Sequence, residues 1–146
     1  MTSYIEIFNR FAFKIKDYVI LEMDDNDVYQ ACLVWMNAAI PKIRKMTSDL
    51  SNRNDIVMQF ADDLTEIEKE VITNMMIVEW LEPQINSQNL INQMYGGKEE
   101  KFFSQASHLS ELRLLKKAKW EETQKLIRSS KYSSFADSIN EENENA

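Results

Sequence analysis

Apolar residues recur at three- and four-residue intervals along much of the chain, which predicts amphipathic helices. The first helix is predicted over about residues 4–15 and is followed by a short extended piece at 18–21. A second helix begins at the acidic run 24–27, whose Asp and Asn side chains can accept hydrogen bonds from free amides, and it ends near Pro41. Residues 47–63 are polar around one short apolar stretch. This pattern is compatible with a loop, a short helix or a small strand.

The third predicted helix has the clearest signal. Thr65 and Glu68 have the spacing of a capping box, in which each side chain accepts a hydrogen bond from the other residue's backbone amide. Residues 71–81 are apolar around most of the helix circumference, so we expect this to be the central, most buried helix. Pro83 lacks the amide hydrogen that a helix interior requires, and it is expected to end the helix.

Two further helices are predicted in the second half of the chain. A shorter one over about 87–95 is expected to end at the adjacent glycines 96 and 97, and a long last helix follows over about 104–130. The final residues are acidic and rich in Asn, which predicts a mobile or partner-dependent tail. The sequence therefore predicts one helical domain over 1–132 and an acidic tail over 133–146.

Composition favours an all-α fold, a small helical bundle with a long C-terminal helix. The 146 residues include only two Gly and two Pro, so turns that need a positive φ are hard to build. Cys32 has no second cysteine to pair with, and its apolar surroundings predict a buried, inert thiol. No apolar run approaches the about 20 residues that span a bilayer, and we expect neither a secretory signal nor a membrane anchor.

The net charge of −7 disfavours non-specific binding to nucleic acid. Segment 100–131 is the exception, because it carries eight Lys and Arg against four Glu and so has a net charge of +4. These cations are spread around the predicted helix and are interrupted by Glu121 and Glu122. The pattern favours a solvated face, or a surface for an acidic partner, over a phosphate-binding face.

Residues that could carry chemistry are few. His108 is the single histidine, and its position near a helix start favours a surface or capping role over a place in a catalytic triad. An EF-hand loop beginning at Asp24 would need Gly and Glu where the chain has Tyr29 and Trp35. A zinc site needs more ligands than His108 and Cys32 supply. We therefore predict no catalytic residue, no metal site and no cofactor.

Four stretches are similar to head–tail connector proteins of tailed bacteriophages, also called adaptor or head-completion proteins. They are WMNAAIP at 35–41, DLTEIEKE at 63–70, MMIVEWLEPQ at 75–84 and FFSQASHLSEL at 102–112. Together the similarity spans most of residues 24–130. The acidic, Asn-rich final ten residues depart from the family's terminal arm, which contacts the portal.

The resemblance implies a structural virion protein that is not an enzyme. It implies a subunit of a cyclic ring of about twelve copies. The ring would lie beneath the portal protein, extend the DNA channel and present the surface on which neck or tail-completion proteins dock. Double-stranded DNA would pass without sequence-specific binding. The expected location is the neck of the virion, and the host cytoplasm during assembly.

Aromatic residues flank the predicted last helix, and buried aromatic side chains are typical of protein interfaces. The candidate contacts with neighbouring subunits or with the portal are Phe102, Phe103, Tyr132 and Phe135. An ordinary core position is the alternative for Phe102 and Phe103. The alternative function is a small helical regulator that binds DNA or a partner protein, which would need a compact basic face.

Overall fold

The computed structural model describes residues 1–145 apart from 16–21, 45, 47 and 95–99, and it leaves the side chains of 88, 90–107, 131–135, 137 and 138 undescribed. The described α-helices are α1 (Tyr4–Ile15), α2 (Asp25–Ala39), α3 (Glu66–Met94) and α4 (Glu100–Glu144), and a 3₁₀ turn (Ile40–Lys42) follows α2. The strands are β1 (Thr2–Ser3), β2 (Arg53–Asn54) and β3 (Gln59–Phe60). The chain is an all-α helical bundle with one very small sheet, as the composition predicts.

Helix α1 covers the predicted residues 4–15 and buries one face. Tyr4, Ile7, Phe8 and Phe11 are fully buried at helical spacing, and the ring of Phe11 packs 5.2 Å from that of Trp35 in α2. Each such side chain contributes about 1.5–3 kcal/mol when it leaves water. This face fixes α1 against the rest of the core. The extended piece predicted at 18–21 lies outside the described residues.

Helix α2 begins and ends where the sequence indicates, but its N-terminus is not capped as expected. Asp24 occupies the N-cap in an extended conformation, and its side chain makes no capping hydrogen bond. The acidic residues Asp25 and Asp27 in the first turn can still stabilise the helix through their charge at its positive end. The α-helix ends at Ala39, and Pro41 lies in the 3₁₀ turn.

Helix α3 is the central helix, and its N-terminus confirms the capping box. The Thr65 amide donates to Glu68 Oε2 at 2.9 Å, and the Glu68 amide donates to Thr65 Oγ1 at 3.2 Å. Every residue from 71 to 78 is buried, including the polar Thr73 and Asn74. A helix buried on all sides is the consequence of the nearly continuous apolar sequence.

Pro83 does not end α3, so the prediction of two separate helices here is wrong. The helix continues to Met94, and the piece predicted over 87–95 forms its last turns. Leu81 and Ile85 are both buried on either side of the proline, and this packing offsets the backbone hydrogen bond that Pro83 cannot donate. The Gln84 side chain donates to the Trp80 carbonyl at 3.2 Å. The glycines at 96 and 97 lie outside the described residues.

Helix α4 is longer than predicted at both ends. It starts at Glu100 rather than near Ser104, and it runs to Glu144 rather than ending near 130. The acidic residues of the predicted tail therefore continue the helix, and the side chains of 139–145 are exposed. The division between a domain at 1–132 and a tail at 133–146, and the mobility of that tail, stay predictions.

A small hairpin resolves the open prediction for 47–63. β3 lies between β1 and β2 and pairs antiparallel with both. Its turn contains no glycine, and Met58 is the residue that adopts a positive φ, of 55°. Asn54 Oδ1 stabilises the turn by accepting from the amides of Ile56 and Val57 at 2.9 and 3.3 Å.

Candidate interaction surfaces

The predicted contact residues cannot be assigned to a surface. Phe102, Phe103, Tyr132 and Phe135 belong to α4, but their side chains lie outside the described part of the chain. Their role at an interface, and the core alternative for the first two, stay predictions.

A polar seam joins α1 to the central helix. Arg10 and Lys14 both form ion pairs with Glu70, and Lys14 Nζ also lies 3.3 Å from Asn74 Oδ1. Burial, and secondarily the charge of Lys119, lower the pKa of Lys14. Asn74 Nδ2 is buried and has no hydrogen-bond partner among the described residues. The seam fixes the register of α1 on α3, and we assign it a structural role.

The hairpin is tied to the helices by two carboxylates. Glu68 accepts from the Ser48 amide at 3.2 Å and from the Ser48 hydroxyl at 2.9 Å. Asp55 accepts from the Tyr4 hydroxyl at 2.7 Å and from Asn37 Nδ2 at 3.1 Å. Burial and the bond to Asp55 raise the pKa of Tyr4 well above its usual value. These bonds hold the loop before the hairpin against the N-terminal end of α3, and the hairpin itself against α1 and α2.

Helix α4 has apolar side chains on two different faces. One face packs on α3 through residues spaced by three or four positions, with Leu109, Leu112 and Ile127 buried. Leu114 is 64% exposed and Leu115 is 42% exposed, so these neighbouring apolar side chains lie outside the packed face. Large exposed apolar side chains close together are typical of interaction surfaces. We name Leu114 and Leu115 the outer face of α4.

A groove with basic walls lies between α4 and the segment that follows α2. Its volume is about 650 Å³. Trp120 and Ile127 contribute apolar surface from α4, and Arg44 and Arg128 contribute positive charge from opposite sides. The remaining lining residues are Pro41, Lys42 and Gln124. We name these seven residues the basic groove.

The arginines of the basic groove differ from the other cations near it. Lys42 is ion-paired with Glu79. Neither Arg44 nor Arg128 forms an ion pair with any residue in the described part of the chain. The sequence gives no signal that Arg44 and Arg128 line the same groove, because the two residues are brought together only when α4 packs across the bundle.

The other cations of α4 mostly have acidic or polar neighbours. Lys116 is ion-paired with Glu82, and Lys119 is ion-paired with Glu122 at 3.4 Å. Arg113 donates to Asn89 Oδ1 at 2.9 Å. The net charge of +4 in this segment is therefore partly neutralised within the fold.

The residues considered for chemistry lie apart. Cys32 is buried in the core, and burial raises its pKa to about 12. His108 is exposed on α4. Over the residues whose placement is described, no three His, Cys, Asp or Glu side chains are grouped so that they could hold a metal ion. Among those same residues, no helix has the length and apolar content to cross a membrane.

Comparison of the chain with protein-family models, with characterised proteins and with solved structures gives no match.

Proposed function

We propose that this protein is a structural subunit of a head–tail connector ring in a tailed bacteriophage. The outer face of α4 is the observation that carries the proposal. Leu114 and Leu115 are exposed on α4, outside the set of side chains that packs on α3. A monomer gains nothing from such a face, whereas a ring subunit buries it against a neighbour.

The length of α4 supports the same proposal. Its 45 residues correspond to about 67 Å at 1.5 Å per residue, more than the about 43 Å of the 29-residue α3 on which it packs. A subunit of this shape can contact a neighbour, the portal protein and a neck or tail-completion protein at separate places. The net charge of −7 would let double-stranded DNA pass through the ring without adhering.

A second candidate function is a helical regulator that binds DNA or a partner protein. The basic groove favours it, because Arg44 and Arg128 line it together with Trp120 and could meet phosphates. The ion pairs of Lys42, Lys116 and Lys119, together with the negative net charge, favour the connector. Gel-shift titration with duplex DNA over a range of salt separates the two: tight, steeply salt-dependent binding supports the regulator.

Quantitative mass spectrometry of purified particles of the encoding phage tests the connector. The portal protein of the same particles serves as the internal copy-number standard. About a dozen copies per particle, as a closed ring requires, would support the proposal. Hundreds of copies would instead indicate a shell or tail-tube protein. Absence of the chain from the particles would overturn the proposal and leave the regulator.

A further inference from the structure

We infer that the acidic C-terminal end of α4 in one copy docks into the basic groove of a neighbouring copy. The inference rests on the proposed ring and names the contact that would connect its subunits. The occupant is the helical segment around Ile139–Glu144, and the acceptor is the groove between Arg44 and Arg128.

Charge complementarity is the first argument. The chain has no Lys or Arg after Lys131, while Asp137, Glu141, Glu142 and Glu144 give the end of α4 four negative charges. The three glutamates are exposed, and none of them forms an ion pair with a residue that the structure describes. Arg44 and Arg128 likewise lack ion pairs within the described chain. Complementary charges on two unpaired surfaces steer association and fix its register.

Apolar complementarity is the second argument. Ile139 is 41% exposed, and it lies one helical turn before Glu142, so the two side chains share a face of α4. Trp120 and Ile127 line the groove together with its arginines. An isoleucine beside a carboxylate therefore fits a groove whose lining combines apolar side chains with guanidinium groups, and Arg binds carboxylates more specifically than Lys does.

The reach of the helix shows that the occupant comes from another copy. Arg128 is the groove residue nearest to the C-terminus, and Glu141 lies about 20 Å beyond it along the helix axis. Because α4 is continuous to Glu144, its own end cannot fold back into its own groove. The contact is therefore between two different surfaces of two copies. Such head-to-tail contacts close into a ring or extend into a filament.

Charge-reversed variants of the full chain test the contact. In the groove variant, Arg44→Glu and Arg128→Glu are combined; in the end variant, Glu141→Lys and Glu142→Lys are combined. Sedimentation velocity up to about 100 μM reports self-association at low salt. We expect each variant alone to associate at least about tenfold more weakly than the wild type. An equimolar mixture of the two should recover wild-type association, because each altered surface then meets a complementary one.

Two controls separate the contact from general effects of charge and folding. The conservative variant Arg44→Lys/Arg128→Lys keeps the charges and should associate within a few fold of the wild type. Glu22→Lys/Glu111→Lys changes the net charge by the same amount as the end variant, at exposed positions outside both surfaces, and should associate like the wild type. Circular dichroism of each variant confirms that the helical fold is retained.

Several outcomes would overturn the inference. They are a wild type that stays monomeric, folded variants that associate like the wild type, and a mixture that fails to recover association. Loss of duplex-DNA binding in the groove variant, with unchanged self-association, would assign the groove to phosphate instead. The particle analysis under Proposed function is independent: a ring retained in folded groove variants would refute this contact but leave the connector intact.

Discussion

Glu68 shows how much of this fold depends on single side chains. Its carboxylate is 1% exposed and accepts hydrogen bonds from Ser48 and from the Thr65 amide, so one residue caps α3 and also holds the preceding loop. The capping box is visible in the sequence. The bonds to Ser48 are not, because they depend on where the loop lies in three dimensions.

Replacing Glu68 by Ala should lower the free energy of unfolding by about 2–4 kcal/mol, because it leaves buried donors unsatisfied and removes the cap. Glu66 is a matched control in the same helical turn. It forms ion pairs with Arg10 and Lys69 at an exposed position, and Glu66→Ala should cost much less than Glu68→Ala. Urea titration of both variants measures the difference, and equal losses would contradict the role assigned to Glu68.

The pKa of Cys32 makes a second residue-level prediction. Burial raises this pKa from 9.0 to about 12, so the folded state keeps a proton that the unfolded state releases near pH 9. Stability should therefore be insensitive to this group below pH 9 and should fall between pH 9 and 12. Tyr4, whose pKa is also raised, acts in the same direction. Urea midpoints over this range should decline less steeply in Cys32→Ala than in the wild type.

Among the elements, α3 differs most from its predicted form. The fold keeps Pro83 within a continuous helix because Leu81 and Ile85 are buried around it. Local sequence rules treat a proline as a helix end, but they do not include the packing energy that is gained when the helix continues. Packing against α3 also determines which residues of α4 are buried, and these residues repeat every three or four positions along α4.

Pro83→Ala should increase the free energy of unfolding by about 1–3 kcal/mol, since it restores a backbone hydrogen bond to Glu79. Leu81→Ala is the reference for loss of packing beside the same site and should decrease it by about 2–4 kcal/mol. Denaturant titration distinguishes the two effects. A destabilised Pro83→Ala variant would show instead that the bundle requires the helix geometry imposed by the proline.

The two faces of α4 should respond differently to truncation. Leu112 is buried against α3, and Leu112→Ala should cost about 2–4 kcal/mol of unfolding free energy. Leu114 is two positions further along and exposed, so Leu114→Ala should change the stability by less than about 0.5 kcal/mol. Thermal unfolding of the two variants measures this contrast. Similar losses would mean that Leu114 contributes to the core of the monomer.

At the scale of the whole molecule, the bundle presents the outer face of α4, the basic groove, and an exposed acidic segment at the end of α4. Of these features, the basic groove combines residues that are far apart in sequence, and the other two are local to α4. Because the basic groove and the acidic segment are different surfaces of one chain, the contact proposed between copies would be head-to-tail.

A subunit with Leu114→Asp and Leu115→Asp should keep its fold and lose self-association, because charge would be placed in the apolar part of the interface. Ile56→Asp is a control at the tip of the hairpin, where the side chain is 93% exposed and remote from α4 in sequence. It should associate like the wild type. Mass photometry of the three proteins gives the oligomer distribution, and unchanged oligomers in the double variant would exclude the outer face as a contact.

The sequence alone determined the fold class, the bounds of α1, the end of α2 at the proline, the capping box and the central position of residues 71–81. Each of these follows from local chemistry: apolar periodicity, a missing amide hydrogen, or side chains three residues apart. The tertiary structure decided the continuity of α3 through Pro83 and the Met58 turn. It also brought Arg44 beside Arg128 in the basic groove and left the outer face of α4 exposed. These features depend on packing between distant segments. The free energy of that packing outweighs the conformational preferences of the local sequence, and it cannot be inferred from neighbouring residues.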